Sequence, residues 1–159
     1  MDQLAGGGAQ RLALDGGQPN PDRHHVGAAA ATYPLDGEGG HRVIALDVGH
    51  GQLHPRIAAD DRVTSLEGVN ARDIGPDDLP FQPDVLVSDV SFISLRLALP
   101  PALELSCRPA LGLFLVKPQF EVGREGIGKG GLVRPERAET AATDLLNWLD
   151  GRAGWTALG

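Results

Sequence analysis

Short apolar runs alternate with helical patterns along the chain from residue 42 onward. A continuous apolar run of this length, bounded by turn residues, is typical of a strand that is buried on both faces of a parallel sheet. A weaker run of apolar and polar residues has the composition of a further strand. The predicted strands cover residues 43–46, 62–66, 85–87 and 113–116. The tail, residues 154–158, has the pattern of one more strand that has just begun.

Helical patterns separate these runs. An apolar face predicts a helix over residues 94–107, which Pro100-Pro101 should bend or divide. A second helix is predicted over residues 135–150, with proline in its first turn and Gly151 as its stop. A short helix is expected within residues 52–59. The alternation predicts an α/β fold, a doubly wound sheet with helices on both faces, left incomplete because about four strands are visible.

Residues 1–41 differ in character from the rest of the chain. Gly, Ala, Pro and Asp dominate, and neither a strand nor a helix period is sustained. Because such a segment buries too little apolar surface to offset its ordering entropy, we predict that it is largely irregular. The histidine pair at 24 and 25 lacks an acid or a cysteine at ligand spacing, so no metal site is predicted. The organised domain is therefore placed at residues 42–159.

Composition limits the function classes. A chain of 159 residues has room for one domain, and its net charge of −7 argues against strong nucleic-acid binding by the chain as a whole. A lone cysteine, Cys107, allows no disulfide framework, which fits a reducing compartment. No run approaches the ~20 apolar residues of a membrane-spanning helix. These features predict a cytoplasmic protein without a membrane partner.

Three of the predicted strands end at charged residues, Asp47, Asp89 and Lys117. In open parallel sheets, ligands bind just beyond the carboxyl ends of the strands. An acid such as Asp47, followed by a glycine turn, can accept hydrogen bonds from the ribose of a nucleotide cofactor or can simply cap the turn. Asp89 and Lys117 would meet at one edge, either as a catalytic acid and base or as a structural ion pair.

Residues 119–137 form the most basic stretch of an acidic chain. Arg124, Lys129 and Arg134 are interspersed with glycines, which let the backbone approach a phosphate closely. The stretch is a candidate for contact with an RNA backbone. A solvated loop is the equal alternative.

Four strings of residues resemble a known family. They read VIALDVGHGQL, LEGVNARD, DVLVSDVSFISL and VKPQFEVGREGIGKGGLVR. In order and spacing they are similar to the FtsJ-like methyltransferase domain of TlyA-type (haemolysin A) proteins, which include rRNA 2′-O-ribose methyltransferases. The resemblance covers about residues 42–159. It implies a Rossmann-like sheet, S-adenosylmethionine as cofactor, and ribosomal RNA or a ribosomal subunit as partner.

The resemblance also implies roles for individual residues. Asp47 matches the acid that contacts the cofactor ribose, and Asn70 matches the position beside the adenine. Asp89 is expected to contribute to cofactor binding as well. Together with Lys117 it matches two members of a Lys-Asp-Lys-Glu catalytic set. Lys117, positioned by Asp89, would deprotonate or align a ribose 2′-hydroxyl for attack on the methyl group.

The chain departs from the family pattern in several places. The cofactor loop of the type D-V-G-A-S-T-G-G-F-T corresponds here to residues 25–34, which read HVGAAAATYP. The first lysine of the family's catalytic set lies before this loop, but no lysine precedes Lys117 in this chain. The glutamate that completes the set would fall after Gly159. The preceding RNA-binding S4 domain has no counterpart in residues 1–41. We therefore expect a domain truncated at both ends, with activity in doubt because grouped catalytic residues fail together.

Other function classes remain to be weighed. A non-catalytic RNA- or partner-binding remnant of the family would need no cofactor. A nicotinamide-dependent dehydrogenase is disfavoured because no G-x-G-x-x-G motif follows a strand. A pore-forming haemolysin finds no support in the apolar pattern.

Overall fold

A computed structural model describes residues 27–32 and 42–159. These residues form one mixed sheet of five strands in the order β3-β2-β1-β4-β5. The strands are β1 (Gly27–Thr32), β2 (Arg42–Asp47), β3 (Val63–Glu67), β4 (Val85–Asp89) and β5 (Leu111–Phe114). β2 and β3 are parallel, as are β4 and β5, while β1 lies between the two pairs and runs antiparallel to both of its neighbours.

The central strand β1 was not predicted from the sequence. It lies within the segment expected to be irregular, yet it pairs along its length with β2 and along most of it with β4. Its sequence, GAAAAT, consists mostly of alanine and therefore shows neither a strand nor a helix period. Pairing of its backbone with a strand on each side, rather than local propensity, accounts for its structure. The other residues of the segment, including the histidine pair, lie outside the described part of the chain.

The helices follow the predicted pattern more closely. They are α1 (Pro55–Ala58), α2 (Leu95–Ala98), α3 (Pro100–Leu105), α4 (Pro118–Glu121) and α5 (Pro135–Asp150). The helix predicted over residues 94–107 is divided at Leu99, which ends α2 and precedes the prolines that begin α3. Both bounds of α5 agree with the prediction, because proline at its first turn and Gly151 at its end are local signals.

The predicted strand at the C-terminal tail is not formed. Gly154 adopts a left-handed φ of 77°, which interrupts an extended conformation. The indole of Trp155 instead turns back towards α3, and its Nε1 donates to the carbonyl oxygen of Leu103 at 3.3 Å. The guanidinium of Arg108 lies 4.7 Å from the centre of the same ring. The tail is therefore held by its side chains rather than by a strand ladder.

The hydrophobic core lies on one face of the sheet. Alternation along the strands places Ile44, Leu46 and Leu86 on this face, and each is buried. Side chains of α2, α3 and α5 cover them, and those that are almost fully buried are Leu95, Leu99, Leu103 and Leu145. On the opposite face, Val87, Leu111 and Leu113 remain 40%, 57% and 69% exposed. Within the described residues, α2, α3 and α5 thus bury one face, and the presence of helices on both faces stays a prediction.

Candidate active site at the carboxyl ends of the strands

The register of the sheet brings two predicted site residues to the same edge. Asp47 ends β2 and Asp89 ends β4, and Gly27 of β1 is the Cα partner of both. Since neighbouring strands lie about 4.8 Å apart, the two aspartates are separated by roughly 10 Å across β1. Lys117, which follows β5, joins Asp89 at this edge. Asn70 follows β3, the strand on the other side of β2.

Lys117 and Asp89 form an ion pair. The Lys117 Nζ lies 2.6 Å from Asp89 Oδ1, and it also donates to the Oγ of Ser91 at 2.6 Å. The lysine side chain is 23% exposed and the aspartate side chain 64% exposed, so the acid faces solvent while the ammonium is partly covered. The catalytic role of the pair stays a prediction. Ser91 was missed by the sequence analysis, because a serine in a loop carries no distinctive signal.

A second contact joins the same two loops. The carboxylate of Glu121, at the end of α4, accepts from the hydroxyl of Ser94 at 2.6 Å and from the backbone N–H of Leu95 at 2.7 Å. The Ser94 hydroxyl in turn accepts from the backbone N–H of Arg96 and caps α2. Glu121 was not singled out by sequence analysis either. The loop after β4 and the loop after β5 are thus joined by hydrogen-bonded side chains at two points, and the rings of Phe92 and Phe120 add a third contact.

The predicted cofactor residues Asp47 and Asn70 lie in neighbouring turns. Asp47 Oδ1 accepts from the backbone N–H of Gly49 at 2.7 Å, so the carboxylate does cap the glycine turn. Asn70 Oδ1 accepts from the backbone N–H of Arg72 at 3.3 Å and begins a short 3-10 helix. The backbone N–H of Val69 donates to the Asp47 carbonyl oxygen at 3.2 Å, which holds the two turns together.

The basic stretch forms a defined turn. Ile127 and Val133 make an antiparallel bridge, and Lys129 lies in the 3-10 turn between them. Lys129, Arg124 and Arg134 are all exposed. This arrangement leaves their charged groups accessible, while their role in RNA binding stays a prediction.

The ion pair of Asp60 and Arg62, just before β3, has shifted pKa values. Hydrogen bonds from Arg62 hold the pKa of the Asp60 carboxyl far below its usual range, and the same pair raises the pKa of the Arg62 guanidinium. Both groups stay ionised at any pH suitable for an assay, so they will not contribute to its pH dependence. Within residues 27–32 and 42–159, no cluster of three or more acidic, histidine or cysteine side chains could hold a metal ion. No helix in the same part is long and apolar enough to cross a membrane.

The fold agrees with comparisons to known proteins. The family model of FtsJ-like methyltransferases matches residues 25–158, beginning ahead of the boundary predicted at residue 42. The chain therefore belongs to the FtsJ-like methyltransferase family.

Relatives within the family are of the TlyA and hemolysin A type. The 16S/23S rRNA (cytidine-2′-O)-methyltransferase TlyA of Mycobacterium tuberculosis is 38% identical over 128 residues, covering 80% of this chain and 48% of the relative. Hemolysin A of Brachyspira hyodysenteriae is 41% identical over 99 residues, covering 62% of this chain and 41% of the relative. A solved structure described as a hemolysin from Streptococcus thermophilus superposes with a TM-score of 0.63 at 40% identity, covering 67% of this chain and 40% of that one. The chain thus spans about half the length, or less, of these relatives.

The family implies S-adenosylmethionine, and the residues present fit one part of it. The carboxylate of Asp47 uses one oxygen for its turn, and a carboxylate has a second oxygen that can accept further bonds. Asn70 retains an amide group on the next turn. The counterpart of the cofactor loop is different, because it forms β1 and leaves the sheet beside Arg42, at the edge opposite Asp47. Asp47 and Asn70 thus lie on neighbouring turns, whereas the counterpart of the cofactor loop forms a strand; the role of the two residues in cofactor binding stays a prediction.

Proposed function

We propose that this chain binds S-adenosylmethionine at the carboxyl end of β2 and carries part of the machinery that methylates a ribose 2′-hydroxyl of ribosomal RNA. The ion pair of Asp89 and Lys117 beside this edge is the observation that carries the proposal. Membership of the FtsJ-like family supports the cofactor, and the name of the Mycobacterium tuberculosis relative supports ribosomal RNA as the substrate.

The cofactor would be held by the turns after β2 and β3. Asp47 would accept hydrogen bonds from the ribose hydroxyls, and Asn70 would lie beside the adenine. When bound, S-adenosylmethionine supplies an electrophilic methyl group. The hydrogen bonds that hold the two turns together keep Asp47 and Asn70 in fixed positions before any ligand arrives, which lowers the ordering cost of binding.

Lys117 would align the substrate hydroxyl. Paired with Asp89, it is an ammonium, which has three N–H donors and no acceptor. Asp89 and Ser91 engage two of these donors, which leaves the third for the oxygen of a 2′-hydroxyl. The exposed carboxylate of Asp89 is the group of this pair that could accept the hydroxyl proton. The pair as it stands therefore favours alignment by Lys117 over deprotonation by Lys117.

The exposed side chains of Arg124, Lys129 and Arg134 would contact RNA phosphates. Their charges offset the net negative charge of the chain locally, and phosphate contacts position a nucleic acid without reading its sequence. The expected signature is binding that weakens steeply with salt.

Calorimetric titration of S-adenosylmethionine tests the proposal. The wild-type chain should bind at micromolar strength, and Asp47→Ala should weaken binding by about 10- to 100-fold, since a hydrogen bond to a charged group contributes about 1.5–3 kcal/mol. The matched control is Asp61→Ala, which removes an exposed acid elsewhere and should leave binding unchanged. A folded wild-type sample that shows no binding heat would refute cofactor binding. If it binds, methyl transfer to ribosomal RNA is the next assay, with Asp89→Asn as the inactive reference.

One observation favours a second candidate, a non-catalytic RNA- or partner-binding module. The residues that correspond to the cofactor loop form the central strand β1 instead. RNA binding that survives Asp89→Asn and Asp47→Ala, in a chain that does not bind the cofactor, is the result that this candidate predicts.

A further inference from the structure

The loops that follow β4 and β5 leave the sheet side by side. The two strands are parallel neighbours, so both loops begin at the same edge. The first loop carries Asp89 and Ser91, and the second carries Lys117. Three side chains of the second loop contact the first: Lys117 contacts the first half of the β4 loop, Glu121 contacts its end, and the ring of Phe120 lies against Phe92 with centroids 5.2 Å apart.

The contacts of the Lys117 ammonium with Asp89 and Ser91 are poorly suited to fix the position of the lysine backbone. The ammonium sits at the end of a flexible four-carbon stem, and its acidic partner Asp89 is largely exposed. An ion pair with an exposed carboxylate is weakened by solvent and by the entropy of holding long side chains in place. Something else must therefore determine where the lysine backbone lies.

The Glu121 contact has the opposite properties. Both carboxylate oxygens are used, one by a hydroxyl at 2.6 Å and one by a backbone N–H at 2.7 Å. Bonds to an ionised acceptor are shorter and stronger than neutral ones. The N–H belongs to Leu95, whose side chain is 1% exposed and packs in the hydrophobic core. Glu121 is thereby anchored to a rigid part of the molecule.

The helix α4 transmits this anchor to the lysine. It is a single turn that Lys117 precedes as N-cap and that Glu121 ends, and Pro118 at its first position restricts the backbone. The two ends of one helical turn cannot move independently. We propose that Glu121 is a positioning residue, which docks α4 on the first turn of α2 and so holds Lys117 against Asp89 and Ser91. Its importance for methylation rests on the proposed function, whereas the geometric claim does not.

The position of the Lys117 ammonium can be tested directly by NMR of the lysine side chains. The chain has two lysines, Lys117 and Lys129, so the side-chain amine region of a proton–nitrogen NMR spectrum contains two possible signals. Lysine ammonium protons exchange rapidly with water unless they are hydrogen-bonded. Lys117 should therefore give a slowly exchanging signal, and the exposed Lys129 serves as the internal reference for rapid exchange. The measurement requires neither cofactor nor RNA, so failure of the methyltransferase proposal and failure of this one are distinguishable.

The informative variant is Glu121→Ala, with Glu125→Ala as the matched control in an exposed position of the following turn. Glu121→Ala should abolish the slowly exchanging Lys117 signal while circular dichroism and tryptophan fluorescence stay those of the folded chain. Glu125→Ala should leave the signal intact.

A Lys117 signal unchanged in folded Glu121→Ala would overturn the proposal, as would a wild-type spectrum in which both lysines exchange alike. If Glu121→Ala does not fold, Glu121→Gln decides the matter. This variant keeps the size of the side chain and one neutral acceptor, but it loses the charge and the second acceptor oxygen, so the Lys117 signal should weaken. Full retention of the signal again contradicts the positioning role.

Discussion

Replacement of Asp89 by asparagine distinguishes a catalytic carboxylate from a structural ion pair, because the two roles differ in what they contribute to stability. The Asp89 side chain is 64% exposed and its partner Lys117 is 23% exposed. Pairs in contact with solvent contribute about 0–1 kcal/mol. Asparagine keeps an oxygen that can accept from the lysine, so we expect Asp89→Asn to cost about 0.5 kcal/mol of unfolding free energy.

Urea unfolding followed by tryptophan fluorescence measures this cost. With a slope of about 2 kcal/mol per molar urea, the midpoint should fall by about 0.3 M. Asp144→Asn, which removes an exposed acid on α5, is the control for a general effect of charge. Combining Asp89→Asn with Lys117→Met in a double-mutant cycle should give a coupling of about 0.2–1 kcal/mol.

The result that would refute this reasoning is a large loss of stability. Removing one partner of a truly buried pair costs about 3–5 kcal/mol, because the remaining charge is left uncompensated. A loss of more than about 2 kcal/mol in Asp89→Asn would show that the fold requires the pair. In an active chain, by contrast, the same variant should lower the rate of methyl transfer by about 10²- to 10⁴-fold with little change in stability.

Three further predictions concern the fold that supports the site. Leu145 is 1% exposed, so Leu145→Ala should lower the unfolding free energy by about 2–5 kcal/mol and the melting temperature by on the order of 10 °C. Leu97 is 59% exposed, so Leu97→Ala should change the melting temperature little. Equal effects of the two variants would contradict the placement of the core. Gly112→Ala would place a Cβ 2.5 Å from Cζ of Phe114, so the ring must shift. The unfolding free energy measured by chemical denaturation should fall by about 1–3 kcal/mol. An unchanged denaturation midpoint would argue against this contact. Leu113→Gln should reduce binding of a hydrophobic dye without loss of stability, because this side chain is 69% exposed; a destabilised variant would indicate that the face is covered.

Local signals explain which elements the sequence could predict. The helix α5 combines proline at its start, leucines at helical spacing and a glycine stop, and all of these act within one segment. The division between α2 and α3 follows from two adjacent prolines. The approach of Lys117 to Asp89 follows from a general rule, that parallel strands deliver their carboxyl ends to one edge.

The parts that could not be predicted depend on partners distant in the chain. Ser91 and Glu121 are common residue types in loops, and each becomes informative only through a contact to a residue about 26 positions away. The strand β1 depends in the same way on pairing with β2 and β4, since a run of alanines favours neither a strand nor a helix by its pattern. The exposed face of the sheet was unpredictable because apolar runs look the same whether one face or both faces are covered.

The antiparallel strand β1 also determines how the sheet can open. Among the strands of residues 27–32 and 42–159, the pair β2–β3 and the pair β4–β5 share no backbone ladder with each other, and the ladders that join them to the sheet are those with β1. Detachment of its six residues would release hydrogen bonds of β2 and β4 in a single event. Amide protons of the two strands that bond to β1 should therefore exchange with solvent at similar rates, although these strands are distant in the sequence. Local fluctuation of this one strand would thus loosen Asp47 and Asp89 together.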